Sequence, residues 1–153
     1  MVSNRRIVLN RRPVGMPVPE DFGIETVECA TLAVGEILVE NHILSIDPAI
    51  RGWLDDRPSY MPPIGLGEVI RGMTLGAVVE SRNAAIPVGS IVRGLAAWEA
   101  FSVVGDALGL EILAVDAGTP IAQHMGVLGG GRGDQLEQMR LVVDMDLCGR
   151  PMR

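Results

Sequence analysis

The sequence predicts a mainly β, barrel-like domain that contains little helix. Many short apolar stretches follow one another at close spacing, and 19 glycines and 10 prolines provide breaks between them. Such a pattern is typical of β-barrels and β-sandwiches. The clearest stretch, residues 36–46, is apolar on most of both faces, as expected for a strand in the middle of a sheet or barrel. A chain of 153 residues is long enough to bury one proper core.

Two further strands and a loop are predicted ahead of this central strand. Residues 5–9 form a short apolar strand, which residues 12–19 then interrupt with three prolines and Gly15. Residues 22–28 form a second strand, and residues 31–35 turn the chain towards the central strand.

The segments after the central strand alternate between turns and strands. Asp47 and Pro48 end the strand, and residues 49–54 predict one helical turn before a proline-rich segment at 58–63. The remaining strands are predicted at residues 73–81, from residue 91 after a turn at 87–90, and at 98–104.

A helix is predicted near residue 119, towards the end of the chain. Thr119 can cap its first turn with a hydroxyl group, and Pro120 suits the first helical position because no N–H is needed there. The helix is expected to end at about Leu128, before the glycines at 129–131.

The last residues predict a separate tail. Asp134 and Glu137 have the spacing of a capping box, which indicates an amphipathic helix within residues 135–147. Its apolar positions recur at helical spacing: Leu136, Met139, Val143 and Leu147. We therefore expect residues 131–153 to be a helical or disordered tail.

Composition excludes several classes of function. The net charge is −6 and all 13 basic residues are arginine, so there is no lysine for a Schiff base or for a phosphate-binding loop. Scattered arginines on an acidic chain do not favour nucleic acid or anionic membranes. Cys29 and Cys148 lie far apart, and no signal peptide or membrane-spanning stretch is recognised, so we expect a reduced, cytoplasmic protein.

Three motifs carry a resemblance to a known family. They are LSIDPAIRG at 44–52, GEVIRG at 67–72 and GAVVES at 76–81, preceded by Asn-Arg-Arg at 4–6. Residues from about 3 to 130 thereby resemble the N-terminal, GroES-like domain of zinc-independent medium-chain dehydrogenase/reductases. The most similar branch contains the prostaglandin, leukotriene, curcumin and plant double-bond reductases. Residues 1–130 are therefore expected to form a partly open GroES-like barrel.

The resemblance implies an NADP-dependent alkenal/one reductase, in which NADPH gives a hydride to the β-carbon of an α,β-unsaturated ketone or aldehyde. The family's cofactor-binding half does not follow residue 130. Gly129 and Gly130 end the GVLG match at 126–129 and are weak cofactor-binding candidates. The chain is thus expected to be truncated, to supply one wall of the pocket, to bind NADP(H) weakly, and to self-associate. A frameshifted or artificially ended gene and a genuine short variant both explain the tail.

The resemblance places substrate-pocket candidates after the central strand, at Asp47, Pro48, Ala49 and Arg51. Ala49 stands where the relatives have a pocket tyrosine, which removes a stacking face and a hydrogen-bond donor. A purely structural alternative is that Asp47 caps the turn and Arg51 pairs with an acid such as Glu68.

Two further candidates follow from the same resemblance. Tyr60 is expected at the pocket rim, and Met73 lies where relatives place a substrate-facing side chain, although methionine can also simply fill core space. Trp53 and Trp98 are interpreted as packing residues.

Neither a metal site nor a dinucleotide fingerprint is predicted. Tetrahedral zinc needs three or four converging ligands, and the resemblance implies none here because the family's metal-binding histidine has no counterpart around residues 67–69. His42, within a predicted strand, and His124, on a predicted helix, are interpreted as packed or surface residues. The glycines at 129–133 fail the GxGxxG pattern because Leu136 stands at the last glycine position and the run follows a predicted helix.

Two alternatives to enone reduction stay open. One is quinone or alcohol oxidoreduction by the same scaffold. The other is a non-enzymatic binding module that self-associates through the face that a cofactor domain would cover.

Overall fold

A computed structural model describes residues 2–105, 110–114 and 141–144, and these are mainly β. One short helix, α1, spans Pro48–Trp53, and a 3-10 turn spans Pro19–Asp21. The strands are β1 Ser3–Leu9, β2 Phe22–Glu28, β3 Ile37–Ile46, β4 Arg71–Ser81, β5 Ile91–Ala97, β6 Phe101–Val104, β7 Glu111–Leu113 and β8 Leu141–Asp144. The predicted fold class is therefore confirmed.

The strands form two antiparallel sheets. β1 and β2 make a two-stranded sheet, while the larger sheet has the order β6-β3-β4-β5-β7, with β8 also paired to β3. Single bridges, Arg6↔Glu99 and Val8↔Val69, connect β1 with segments beside the larger sheet. The first strand is thus a link between the two sheets.

β3 lies in the interior of the larger sheet, with strands paired on both sides, as the sequence predicts. Ile37, Leu38, Val39, Ile43 and Leu44 are each no more than 4% exposed although successive side chains point to opposite faces. A strand that is buried on both faces needs apolar residues at nearly every position, which explains the continuous apolar run.

A separate apolar cluster packs beneath α1. It combines Leu9 of β1 with Ile50 and Trp53 of α1, and with Ile64 and Ile70 from the connection to β4. Arg12 strengthens this region by donating from Nη1 to the carbonyl oxygens of Leu54 (2.8 Å) and Ile64 (2.5 Å), which both lie in that connection.

Buried polar side chains connect β1 with β3 and β6. Asn4 donates from Nδ2 to Glu99 Oε2 (2.9 Å) and to the Phe101 carbonyl (2.7 Å). Ser102 Oγ donates to Glu99 Oε1 (2.9 Å) and accepts from Asn41 Nδ2 (2.8 Å). Burial raises the pKa of Glu99, an effect that these hydrogen bonds partly offset.

The predicted strand at 98–104 is confirmed only from Phe101 onwards. The preceding residues instead contact β1 and the connection to β4: Trp98 N donates to Ile70 O (2.7 Å), and Ala100 N donates to Arg5 O (2.8 Å). These contacts with residues far away in the sequence replace the regular pairing that local alternation predicts.

The helix predicted within 135–147 is wrong for residues 141–144, which form β8. β8 is antiparallel to β3, with Ile46 opposite Leu141 and Ile43 opposite Asp144. β6 pairs with β3 only from Ile37 to Glu40, so β8 satisfies backbone groups along the second half of that edge. The helix predicted at 119–128, the glycines at 129–130, His124 and Cys148 lie outside the described residues.

Candidate functional site

A cavity of about 510 Å³ lies where β3 passes into α1. Its volume is within the usual range for small-molecule sites, which are mostly apolar with a few polar groups. It is lined by Pro17, Phe22, Ile46, Asp47, Pro48, Ile50, Arg51, Leu54 and Trp98. Asp47, Pro48 and Arg51, three of the residues singled out from the sequence, therefore lie together.

The first turn of α1 forms one wall of the cavity. Asp47 has an extended backbone (φ −101, ψ 144) and Pro48 occupies the start of the helix, which turns the chain away from β3. Ile50 and Leu54 are four residues apart and so lie on one face, and both line the cavity. This spacing explains why α1 offers an apolar wall.

Asp47 stands at the N-cap position, but its side chain does not cap the helix. Its Oδ2 instead accepts a hydrogen bond of 2.6 Å from Ser45 Oγ. The carboxylate is therefore oriented by the end of β3.

Arg51 makes three hydrogen bonds with groups around the cavity rim. Nη1 donates to Asp55 Oδ1 (2.7 Å), Nε donates to Gly15 O (3.0 Å), and Nη2 donates to Pro13 O (3.3 Å). The suggested pairing of Arg51 with Glu68 is wrong, since Glu68 Oε2 accepts from Gly65 N (2.7 Å). The i,i+4 spacing of Arg51 and Asp55 on a helical turn favours the observed pair.

Asp55 also accepts a hydrogen bond from Arg57 Nη2 (2.6 Å). Hydrogen bonds from Arg51 and Arg57 hold the pKa of Asp55 below its ordinary value. The carboxylate therefore stays ionised at neutral pH and keeps the Arg51 guanidinium in place.

The loop between β1 and β2 brings Pro17 to the opposite rim of the cavity. Asp21, which is 3% exposed, fixes the far end of this loop. Its Oδ2 accepts from Val18 N (2.9 Å) and its Oδ1 accepts from Arg11 Nε (2.6 Å). The Val18 N–H and then Arg11 lower the pKa of Asp21 from its ordinary value.

Phe22 and Trp98 form the aromatic part of the wall, and sequence reasoning did not assign either to the site. Their ring centroids are 6.5 Å apart and the rings are tilted by 35°. Phe22 reaches this position because β2 begins there, opposite Leu9 of β1. No local signal marks Trp98 as a site residue, because its position depends on the contact between the β5–β6 connection and Ile70.

Three candidates from the sequence do not line the cavity. Ala49 is exposed on α1, and Tyr60 is 77% exposed with its ring edge-on to Trp53 at a centroid distance of 6.0 Å. Met73 of β4 packs against Ile43 and Leu75.

The described residues do not form a cradle for a dinucleotide. Arg51 is the cation in the cavity lining, and three of its nitrogen atoms already donate hydrogen bonds to Asp55, Gly15 and Pro13. Glycines with positive φ at 15, 35, 67 and 89 occupy separate turns rather than one phosphate loop.

In the part of the chain that the structure describes, no group of three or more His, Cys, Asp or Glu side chains could hold a metal ion. Among the same residues, no helix has the length and apolar character needed to cross a membrane.

The sequence matches a known family along most of the described part. Residues 5–113 match the family model for the N-terminal domain of oxidoreductases. The chain is 42% identical over 100 residues to the NADPH-dependent curcumin reductase of Escherichia coli K12, covering 65% of this chain and 29% of that protein. It is 32% identical over 131 residues to prostaglandin reductase 1 of Sus scrofa, covering 84% of this chain and 37% of that protein.

The fold matches solved structures of CurA from Vibrio vulnificus. One structure superposes with a TM-score of 0.76 at 35% identity, covering 83% of this chain and 37% of that chain. The other, a complex with NADPH, gives a TM-score of 0.74 at 34% identity, covering 82% of this chain and 37% of that chain. The chain thus spans about a third of the length of the relatives that it matches.

Proposed function

Because the chain belongs to the N-terminal domain family of medium-chain oxidoreductases, we propose that it forms the substrate-side domain of an NADP-dependent reductase of α,β-unsaturated ketones and aldehydes. The observation that carries this proposal is the cavity at the end of β3, whose lining is almost entirely apolar although Asp47 and Arg51 border it. Such a wall suits the apolar body of a small molecule. The curcumin reductase of E. coli and the prostaglandin reductase of S. scrofa support this choice of substrate.

In this proposal the described residues bind and orient the substrate. Ile50, Leu54 and Trp98 exclude water from its apolar part, and Asp47 and Pro48 shape the end of the cavity beneath β3. Ala49 and Tyr60, both exposed, are proposed as rim residues, whereas Met73 is proposed as a packing residue.

The reductant is proposed to bind outside these 153 residues. NADPH would supply the hydride, but the described residues offer no cradle for its phosphates, so no catalytic step is assigned to them. We also propose that the enzyme is independent of zinc. The chain alone is accordingly proposed to be inactive.

The proposed domain comprises residues 1–130, with residues 131–153 as a divergent tail whose β8 adds an edge strand to β3. We further propose a homo-oligomeric enzyme of the cytoplasm, a reducing compartment that suits the free thiol of Cys29. Light scattering of the purified chain tests the self-association.

A chimera provides the test of function. Residues 1–113 replace the matching segment of the E. coli curcumin reductase, whose own remaining residues supply the NADPH site. We expect NADPH consumption with 4-phenyl-3-buten-2-one and none with its saturated analogue, 4-phenyl-2-butanone.

Two results would contradict the proposal. Consumption of NADPH with a benzoquinone but not with the enone would instead support quinone reduction on this scaffold. A chimera that folds and binds NADPH but consumes none with any of these compounds would indicate a non-enzymatic binding module.

A further inference from the structure

Pro13 is buried at the start of the loop that carries Pro17, whereas the tip of the loop, residues 14–16, has no buried apolar side chain. Val14 is 96% exposed and Met16 is 83% exposed, so these side chains contribute little burial. Gly15, with φ of +76, lies in open space, and a Cβ added there would meet nothing within 4 Å. The position of the loop tip must therefore depend on its hydrogen bonds.

Arg51 supplies those hydrogen bonds at the tip. Its Nε and Nη2 donate to the carbonyl oxygens of Gly15 and Pro13, at 3.0 and 3.3 Å. The Asp55 carboxylate binds Nη1 on the other side of the guanidinium at 2.7 Å, which fixes the plane of the group. A planar group fixed in this way can hold two carbonyls at once, which a lysine ammonium does less well.

Asp21 holds the other end of the same loop. It accepts hydrogen bonds from the Val18 N–H and from Arg11, and it does not line the cavity. Pro17 lies between the two hydrogen-bonded residues of the loop, Gly15 and Val18, and it does line the cavity. A shift at either point would therefore move Pro17 and alter the width of the cavity.

We propose that Pro17, the residue of the loop at 13–18 that lines the cavity, selects substrates by size, and that Arg51 is the positioning residue that holds this loop by donating to Gly15 O and Pro13 O. The proposal rests on the proposed function, because it concerns the same cavity. It assigns Arg51 no contact with reacting atoms. Asp21 acts with Arg51 from the far end of the loop.

The first experiment measures amide hydrogen exchange of Val18, whose N–H is bonded to Asp21, by NMR on the whole chain. Arg51→Gln should speed this exchange about tenfold, because the loop loses its charged hydrogen-bond donor. Arg51→Lys should give an intermediate rate. The matched control is Arg57→Gln, which removes the other partner of Asp55 but no contact with the loop. Amide exchange in this variant should have the same rate as in the parent chain.

The second experiment measures binding of two unreactive ketones, 2-pentanone and 2-nonanone, through the indole N–H signal of Trp98. The chain has two tryptophans, so Trp53→Phe assigns the signals. We expect the ratio of the two dissociation constants to change by about threefold or more in Arg51→Gln. Such a ratio corresponds to a small difference in binding free energy. Asp21→Ala should change the ratio in the same direction although Asp21 does not line the cavity.

The outcomes separate this proposal from the proposed function. Unchanged exchange and selectivity in Arg51→Gln, or equal changes in Arg57→Gln, would overturn the positioning role. Altered selectivity in Arg51→Gln with parental selectivity in Asp21→Ala would also overturn it, because Arg51 would then act by direct contact. If the parent chain binds neither ketone, the substrate cavity of the proposed function fails, and the exchange rates alone decide whether Arg51 holds the loop.

Discussion

The indole nitrogen of Trp98 occupies the space that a side chain at Gly72 would need. A Cβ placed on Gly72 would lie 2.6 Å from Trp98 Nε1 and 3.4 Å from the Ser45 carbonyl oxygen. Ser45 in turn orients Asp47 through its hydroxyl group. The absence of a side chain at residue 72 therefore lets Trp98 lie against the sheet and line the cavity.

Gly72→Ala should destabilise the chain by about 1–3 kcal/mol, as is typical of overpacking in a core. It should also change the Trp98 fluorescence, because the indole ring must move. Urea unfolding followed by fluorescence measures both effects.

Gly52→Ala is the matched control for that substitution. Gly52 lies in α1, and a Cβ placed on it would meet nothing within 4 Å. Because alanine favours a helix more than glycine does, this change should stabilise the chain by about 0.5–1 kcal/mol. A stabilising Gly72→Ala would show that Trp98 does not require the glycine.

Glu99→Gln should weaken the dependence of stability on pH between neutral and mildly acidic conditions. Burial raises the pKa of Glu99, so the folded chain binds its proton more tightly than the unfolded chain. Protonation of Glu99 therefore increases the free energy of unfolding as the pH falls through the raised pKa towards the ordinary value of about 4.3. Glutamine does not titrate and removes this gain.

Urea unfolding at several pH values between about 7.5 and about 4.5 measures this effect. Glu25→Gln is the control, because Glu25 is an exposed partner of Arg6. A Glu99→Gln variant with the same slope as the parent chain would show that another group causes the dependence.

Asp21→Asn should lower stability at neutral pH and make little difference in strong acid. The pKa of Asp21 is lowered in the folded chain, so its contribution is complete above the ordinary value of about 3.9 and is lost as the pH falls through the folded value. The urea midpoints of the two chains should differ at pH 7 and approach each other as the pH falls below the ordinary value of about 3.9. Parallel curves over the whole range would contradict an ionised Asp21 as the cause.

NADPH should not bind tightly to the isolated chain. The described residues lack a phosphate cradle, and the cation in the cavity lining is engaged by Asp55 and the loop carbonyls. Isothermal titration calorimetry tests this, with the full-length E. coli curcumin reductase as the positive control. Micromolar affinity for the isolated chain would place a nucleotide site within these residues.

Part of the candidate site could be predicted from the sequence. The resemblance carried by the motif at 44–52 singled out Asp47, Pro48 and Arg51, and the end of a strand and a proline at a helix start are local features that the sequence shows. An acidic partner was expected for Arg51, with Glu68 as the example, but the partner is Asp55. Phe22, Trp98 and Pro17 were missed, because they approach the cavity from segments distant in the chain.

The sequence by itself determined where most strands lie and that β3 is an interior strand, because alternation, apolar runs and prolines act over neighbouring residues. The tertiary structure decided that residues 141–144 pair with β3, since a strand edge with free backbone groups outweighs a weak helical pattern. The tertiary structure also determined the position of the cavity, because its wall forms only where β2, α1 and the residues after β5 meet. Contacts between distant segments depend on packing in three dimensions, which no local pattern records.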